Sequence, residues 1–118
     1  MLISDSMERQ ELEKLTRDYQ LLQEQLQALA VQKEQFTLQK EEHREALAEV
    51  EKAGGKIFLT IGGAIVEMPK TEAMKKLKER QESIEMRLGL VNKQYEEFSR
   101  KEKSMREEIT NALKMGKQ

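Results

Sequence analysis

Two long runs of apolar residues at alternating spacings of three and four constrain this chain more than any other feature of its sequence. Positions 12, 15, 19, 22, 26, 29, 33, 36, 40, 43, 47 and 50 read Leu, Leu, Tyr, Leu, Leu, Leu, Lys, Phe, Lys, His, Leu and Val, nine of twelve apolar. Positions 74, 77, 81, 84, 88, 91, 95, 98, 102, 105, 109 and 112 read Met, Leu, Gln, Ile, Leu, Val, Tyr, Phe, Glu, Met, Ile and Ala, ten of twelve apolar. A repeat of 3.5 residues held over this length predicts coiled-coil helices, because only that period keeps one apolar stripe facing a partner helix. Gly54-Gly55 closes the first run, Thr71-Glu72 suits a cap and first turn for the second, and Gly116 ends it.

The halves carry opposite charge. Residues 1–52 hold 12 acidic and 7 basic side chains, and residues 53–118 hold 10 and 14. Opposite fields on segments joined by a short connector favour an antiparallel pair within one chain. In the expected register, seam positions pair when their numbers sum to 124, so Leu12 meets Ala112, Leu26 meets Phe98 and Leu47 meets Leu77. His43, the chain's one histidine, then faces Gln81 as a polar layer that fixes register; a ligand or pH-switch role would need companion groups.

Between the runs lies KIFLTIGGAIVEMP, Lys56 to Pro69, which reads as two short strands around a Gly62-Gly63 turn of type I′. One face of that hairpin carries Ile57, Leu59, Ile61, Ala64, Val66 and Met68; the other carries Phe58 and Ile65. The helices end where the hairpin begins, so this face is expected to lie beyond their cover. A lone two-stranded ribbon is marginal in water, and its open edges template pairing with further strands. Ile57, Phe58, Leu59, Ile61, Ala64, Ile65, Val66 and Met68 are therefore the expected subunit-assembly residues. The fold class is mainly α: a long antiparallel coiled-coil helical hairpin with a single central β-hairpin that assembles into an oligomeric β-barrel body. The chain divides as one domain into 1–53 (first helix), 54–69 (hairpin) and 70–116 (second helix).

This architecture resembles the β-type subunits of prefoldin. The likeness rests on GKIFLTIGGAIVEMPKTEAMKKLKER, Gly55 to Arg80, with its strand–turn–strand, the turn region Ile61 to Val66 and the following Glu72-Ala73. One hairpin rather than a doubled insert points to the β-type. The resemblance implies a hetero-hexamer of two α-type and four β-type subunits, with six coiled-coil arms hanging from a double-barrel body. It further implies ATP-independent capture of unfolded chains, nascent actin and tubulin among them in eukaryotes, and their delivery to a cytosolic chaperonin. Helices of about 45 residues at 1.5 Å per residue span roughly 70 Å, enough to enclose a cavity. Both termini then lie at the far tip. Leu2, Ile3 and Met7 and, from the second helix, Ile109, Leu113 and Met115 are the expected client-contact residues, since flexible methionines and aliphatics meet many apolar sequences weakly. Off the seam, Val31, Leu38, Met86 and Leu90 could touch a neighbouring subunit.

Other classes fit poorly. A formal net charge of −1 argues against nucleic acid as a partner, and no apolar run is long enough to cross a membrane. With no cysteine and one histidine, no nucleophile, cofactor or metal set is visible, and an enzyme is not expected. The N-terminus has no basic start or apolar block of a signal peptide, so the expected location is cytoplasmic. The rival reading is a structural or adaptor coiled coil for dimerisation or tethering, which predicts a stable two-chain species with no affinity for unfolded proteins.

Overall fold

The structure, a computed structural model, describes the backbone of residues 2–116 and the side chains of residues 9–115. Its order is α1 (Leu2–Lys52), β1 (Lys56–Ile61), β2 (Ala64–Pro69) and α2 (Lys70–Gly116). The chain forms two compact units: residues 33–90, and the segment up to Gln32 together with the segment from Val91.

In each unit the expected seam is the packed surface. Around the unit that holds residues 9–32 and 91–115, Leu22, Leu29 and Val91 are buried, and the other seam side chains are half-buried. In the hairpin-bearing unit, Val50, Leu77 and Ile84 are buried, and Lys33 is the one seam residue left exposed. Two contacts report the register. Tyr19 Oη donates to Glu102 Oε1 at 2.7 Å, one seam step from its expected layer partner Met105. Lys40 Nζ lies 3.9 Å from Glu85 Oε1, beside the expected partner Ile84.

An exposed ion pair adds little to the association of the helices. Lys40–Glu85 is an ion pair between α1 and α2, and both side chains are nearly half exposed. Such a pair contributes about 0–1 kcal/mol. His43 and Gln81 are both half-buried on the seam, and His43 Nδ1 lies 2.9 Å from the Gln39 carbonyl one turn back. The buried apolar layers carry the association.

The connector follows from its glycines. Ala53 N donates to the Glu49 and Val50 carbonyls, closing α1, and Gly55 then turns the chain at φ +87°. Gly62 and Gly63 hold φ of +55° and +85°, the pair of left-handed residues that a type I′ turn requires. The strands pair antiparallel with Ile57 opposite Met68, Leu59 opposite Val66 and Ile61 opposite Ala64, so those six share a face. The second helix starts at Lys70, directly after Pro69, which places Thr71 inside the first turn rather than at the expected cap. The fixed φ of proline already suits the step from strand into helix.

Two glycines respond oppositely to alanine. A methyl at Gly63 meets no atom within 4 Å but sits at φ +85°, so Gly63→Ala is expected to lower stability by about 1–2 kcal/mol. Gly89 lies inside α2, again with open space and with no left-handed φ, so Gly89→Ala is expected to raise stability by about 0.5–1 kcal/mol. Urea unfolding of the two variants checks both signs.

Candidate functional site

The hairpin is not left hanging beyond the helices. Ile57 and Met68 are 8% and 4% exposed, in one cluster with Val50, Ala73 and Leu77, and Leu59 and Ile61 pack against it. The expectation that the helices leave the six-residue face uncovered is therefore corrected at its base. The reason lies off the seam. Ala46, Ala53 and Ala73 are small residues beside the apolar stripe, and Ala73 is fully buried. Their lack of bulk lets the base of the ribbon lie against the helix ends. Arg80 Nη2 reaches the Thr60 carbonyl at 3.4 Å, and the Lys70 ammonium donates to the Glu51 carbonyl near the end of α1. Ile57 and Met68 thus serve first as the root that fixes the hairpin. Burying each stabilises by about 1.5–3 kcal/mol.

Toward the turn the ribbon is bare. Ala64 and Val66 are exposed on the partly covered face, and on the other face Phe58 is 64% and Ile65 75% exposed. Lys56 Nζ and Glu67 Oε1, 3.4 Å apart, lie on that second face too. A two-stranded sheet with large apolar side chains on both faces and no third strand at either edge among the described residues is a surface built for further strands. Of the eight expected assembly residues, six remain at least partly accessible and two are consumed by the chain's own core.

At the helix ends, the side chains of Leu2, Ile3 and Met7 lie outside the described residues. Leu113 and Met115 are 52% and 75% exposed, whereas Ile109 is half-buried in the seam. Sequence reasoning missed the polar clasp in this unit. Glu102, its side chain 18% exposed at a seam position, accepts the Tyr19 hydroxyl and lies 3.6 Å from Arg106 Nη1. That hydrogen bond to the carboxylate pushes the Tyr19 phenol above its ordinary value. The signal was present in the sequence as a glutamate, Glu102, interrupting the second apolar stripe one seam step from the layer of Tyr19.

Among the described residues no group of histidine, cysteine or carboxylate side chains could hold a metal ion, and no helix is long and apolar enough to cross a membrane. Comparison with known proteins decides the family. The family model described as prefoldin subunit matches residues 10–115. The chain belongs to the prefoldin family. A prefoldin subunit beta of Methanosarcina acetivorans is 34% identical over 96 residues, covering 80% of this chain and 82% of that protein. A prefoldin subunit beta of Thermococcus onnurineus is 36% identical over 94 residues, covering 78% and 81%. The crystal structure of the prefoldin beta subunit from Thermococcus strain KS-1 superposes with a TM-score of 0.79 at 30% identity, covering 87% of this chain and 92% of that one. Prefoldin membership makes this chain a chaperone subunit of the β type and not an enzyme, and it sets aside a mere tethering coiled coil. Two long helices flanking one antiparallel hairpin are the prefoldin β fold.

Proposed function

We propose that this prefoldin subunit assembles through its hairpin with α-type and other β-type subunits into a cytoplasmic hetero-hexamer with a barrel body. The assembled arms hold unfolded polypeptides at the ends far from the hairpin and pass them to a cytosolic chaperonin, without ATP. The observation that carries this reading is the bare outer part of the hairpin: Phe58, Ile65 and Val66 are exposed on a ribbon with two open edges. A chain that covers the root of its ribbon and leaves the remainder apolar is completed by strands from other subunits. The relatives' names, each a subunit beta, support a complex of more than one kind of chain.

Client contact is assigned to Leu2, Ile3, Met7, Leu113 and Met115, with Ile109 supporting them from the seam. Two exposed apolar side chains on the last turns of α2 are what supports that assignment. Weak apolar contacts repeated on several arms gain by effective concentration. The test is a complex of this chain with an α-type subunit, compared with one whose copies lack residues 1–7 and 112–118. The truncated complex is expected to keep its native mass and lose most of its suppression of aggregation of a chemically unfolded protein. Full suppression by an intact truncated hexamer would refute the tip assignment.

A further inference from the structure

Among the described residues the hairpin has no third strand, yet its two edges are not alike. Ile61 faces Ala64 across the two-glycine turn, and that pair closes the ladder; hydrogen-bonded pairs then recur at Leu59–Val66 and Ile57–Met68. The backbone groups of Phe58 and Thr60 on β1, and of Ile65 and Glu67 on β2, therefore point outward from the ribbon. Pro69, the next outward position on β2, has no N–H, so Ile65 and Glu67 supply the donors of that edge.

Two observations separate the edges. The first is burial. Leu59 and Ile61 are half-buried and pack against the cluster that includes Val50, Ala73 and Leu77, whereas the residues opposite them, Val66 and Ala64, are exposed. Toward the turn, β1 leans on the helices and β2 stands clear. The second is a hydrogen bond. Arg80, half-buried on α2, donates from Nη2 to the Thr60 carbonyl at 3.4 Å, so one outward acceptor of β1 is already taken. Among the described residues no group outside the ribbon bonds the outward backbone of Ile65 or Glu67. A charged side chain at a strand edge is one of the ways proteins keep that edge from pairing.

We propose that a strand from another subunit's hairpin adds first along β2, and that Arg80 holds the β1 edge back until later in assembly. The geometry fixes the kind of partner, because N–H and C=O groups repeating two residues apart along β2 match an extended strand. A strand approaching β1 has to displace the guanidinium from the Thr60 carbonyl and pass the helix on which Leu59 and Ile61 pack. One approaching β2 displaces only water. The proposal rests on the assembly reading above and gives it an order: β2 pairs, then Arg80 releases Thr60 as β1 closes the body.

The test follows single amides in the smallest species of more than one chain. Full-length chain is mixed with a limiting amount of the α-type subunit, exchange is pulsed, and native mass separates the species. In the smallest of them the Ile65 and Glu67 amides are expected to slow roughly tenfold or more, with Phe58 and Thr60 within about twofold of the lone chain. With Arg80→Ala, all four amides are expected to slow in that species. The order is read from the parent chain alone, so it stands or falls whether or not the variant folds. Equal slowing at both edges of the parent, or slowing at β1 first, overturns the order. The parent pattern kept by a folded Arg80→Ala chain overturns the role of Arg80. A chain that joins no other subunit overturns the assembly reading itself.

Discussion

Replacing Phe58 and Ile65 together by lysine is expected to leave the helices intact and abolish assembly. Both side chains project from the hairpin face that no helix covers, at 64% and 75% exposure. Neither belongs to the cluster of Val50, Ile57, Met68, Ala73 and Leu77, so the chain's own core loses nothing. Within a closed body, however, each lysine would have to bury an ammonium group, at a cost of several kcal/mol per charge. Repeated in every copy, that cost exceeds what the ribbon gains by pairing. Far-ultraviolet circular dichroism should show the helical signal of the parent chain, while sedimentation with the α-type subunit should show separated components. The conservative pair Phe58→Leu and Ile65→Val should still assemble, which separates burial of charge from a general sensitivity of the site.

The second large effect lies in the core. Leu77 is 3% exposed and touches both the seam and the root of the hairpin, through Val50, Ile57, Met68 and Ala73. Leu77→Ala is expected to cost about 2–5 kcal/mol, the transfer term plus a cavity that rigid neighbours cannot fill. Leu90→Ala, at an exposed position on the same helix, should change stability by less than about 0.5 kcal/mol in the unassembled chain. Chemical unfolding of the two variants compares them directly. Equal losses would mean that the cluster under the hairpin does not hold the two elements together.

The seam was readable because its information is periodic. Each apolar residue is placed by its neighbours three and four away, and of the twenty-four expected positions Lys33 alone is exposed. The hairpin was readable for a different reason: two consecutive glycines between short apolar strands leave few turns available, and both adopt the required left-handed φ. What escaped the sequence was contact without period. Ala46, Ala53 and Ala73 look like ordinary helix formers, and nothing in their spacing says that a ribbon will lie on them. Ile57 and Met68 were accordingly grouped with the surface residues of the same face, although the chain itself buries them. Opposite charge on the two halves correctly suggested an antiparallel pair, yet the Lys40–Glu85 ion pair that crosses between the helices is nearly half exposed and adds little. For the client-contact residues, Leu113 and Met115 are exposed as a contact surface needs, and Ile109 is packed.

Amide exchange across Lys56–Pro69, followed alongside the mass of the species in solution, puts the greatest strain on the idea of a ribbon finished by its neighbours. In a lone antiparallel pair alternate amides of each strand point outward and exchange with solvent; a strand added at either edge protects them. Those outward amides should be slow only in a species of more than one chain, and fast in a dilute single chain. A stable monomer with every hairpin amide protected, or a native hexamer whose outward amides exchange freely, would contradict the account.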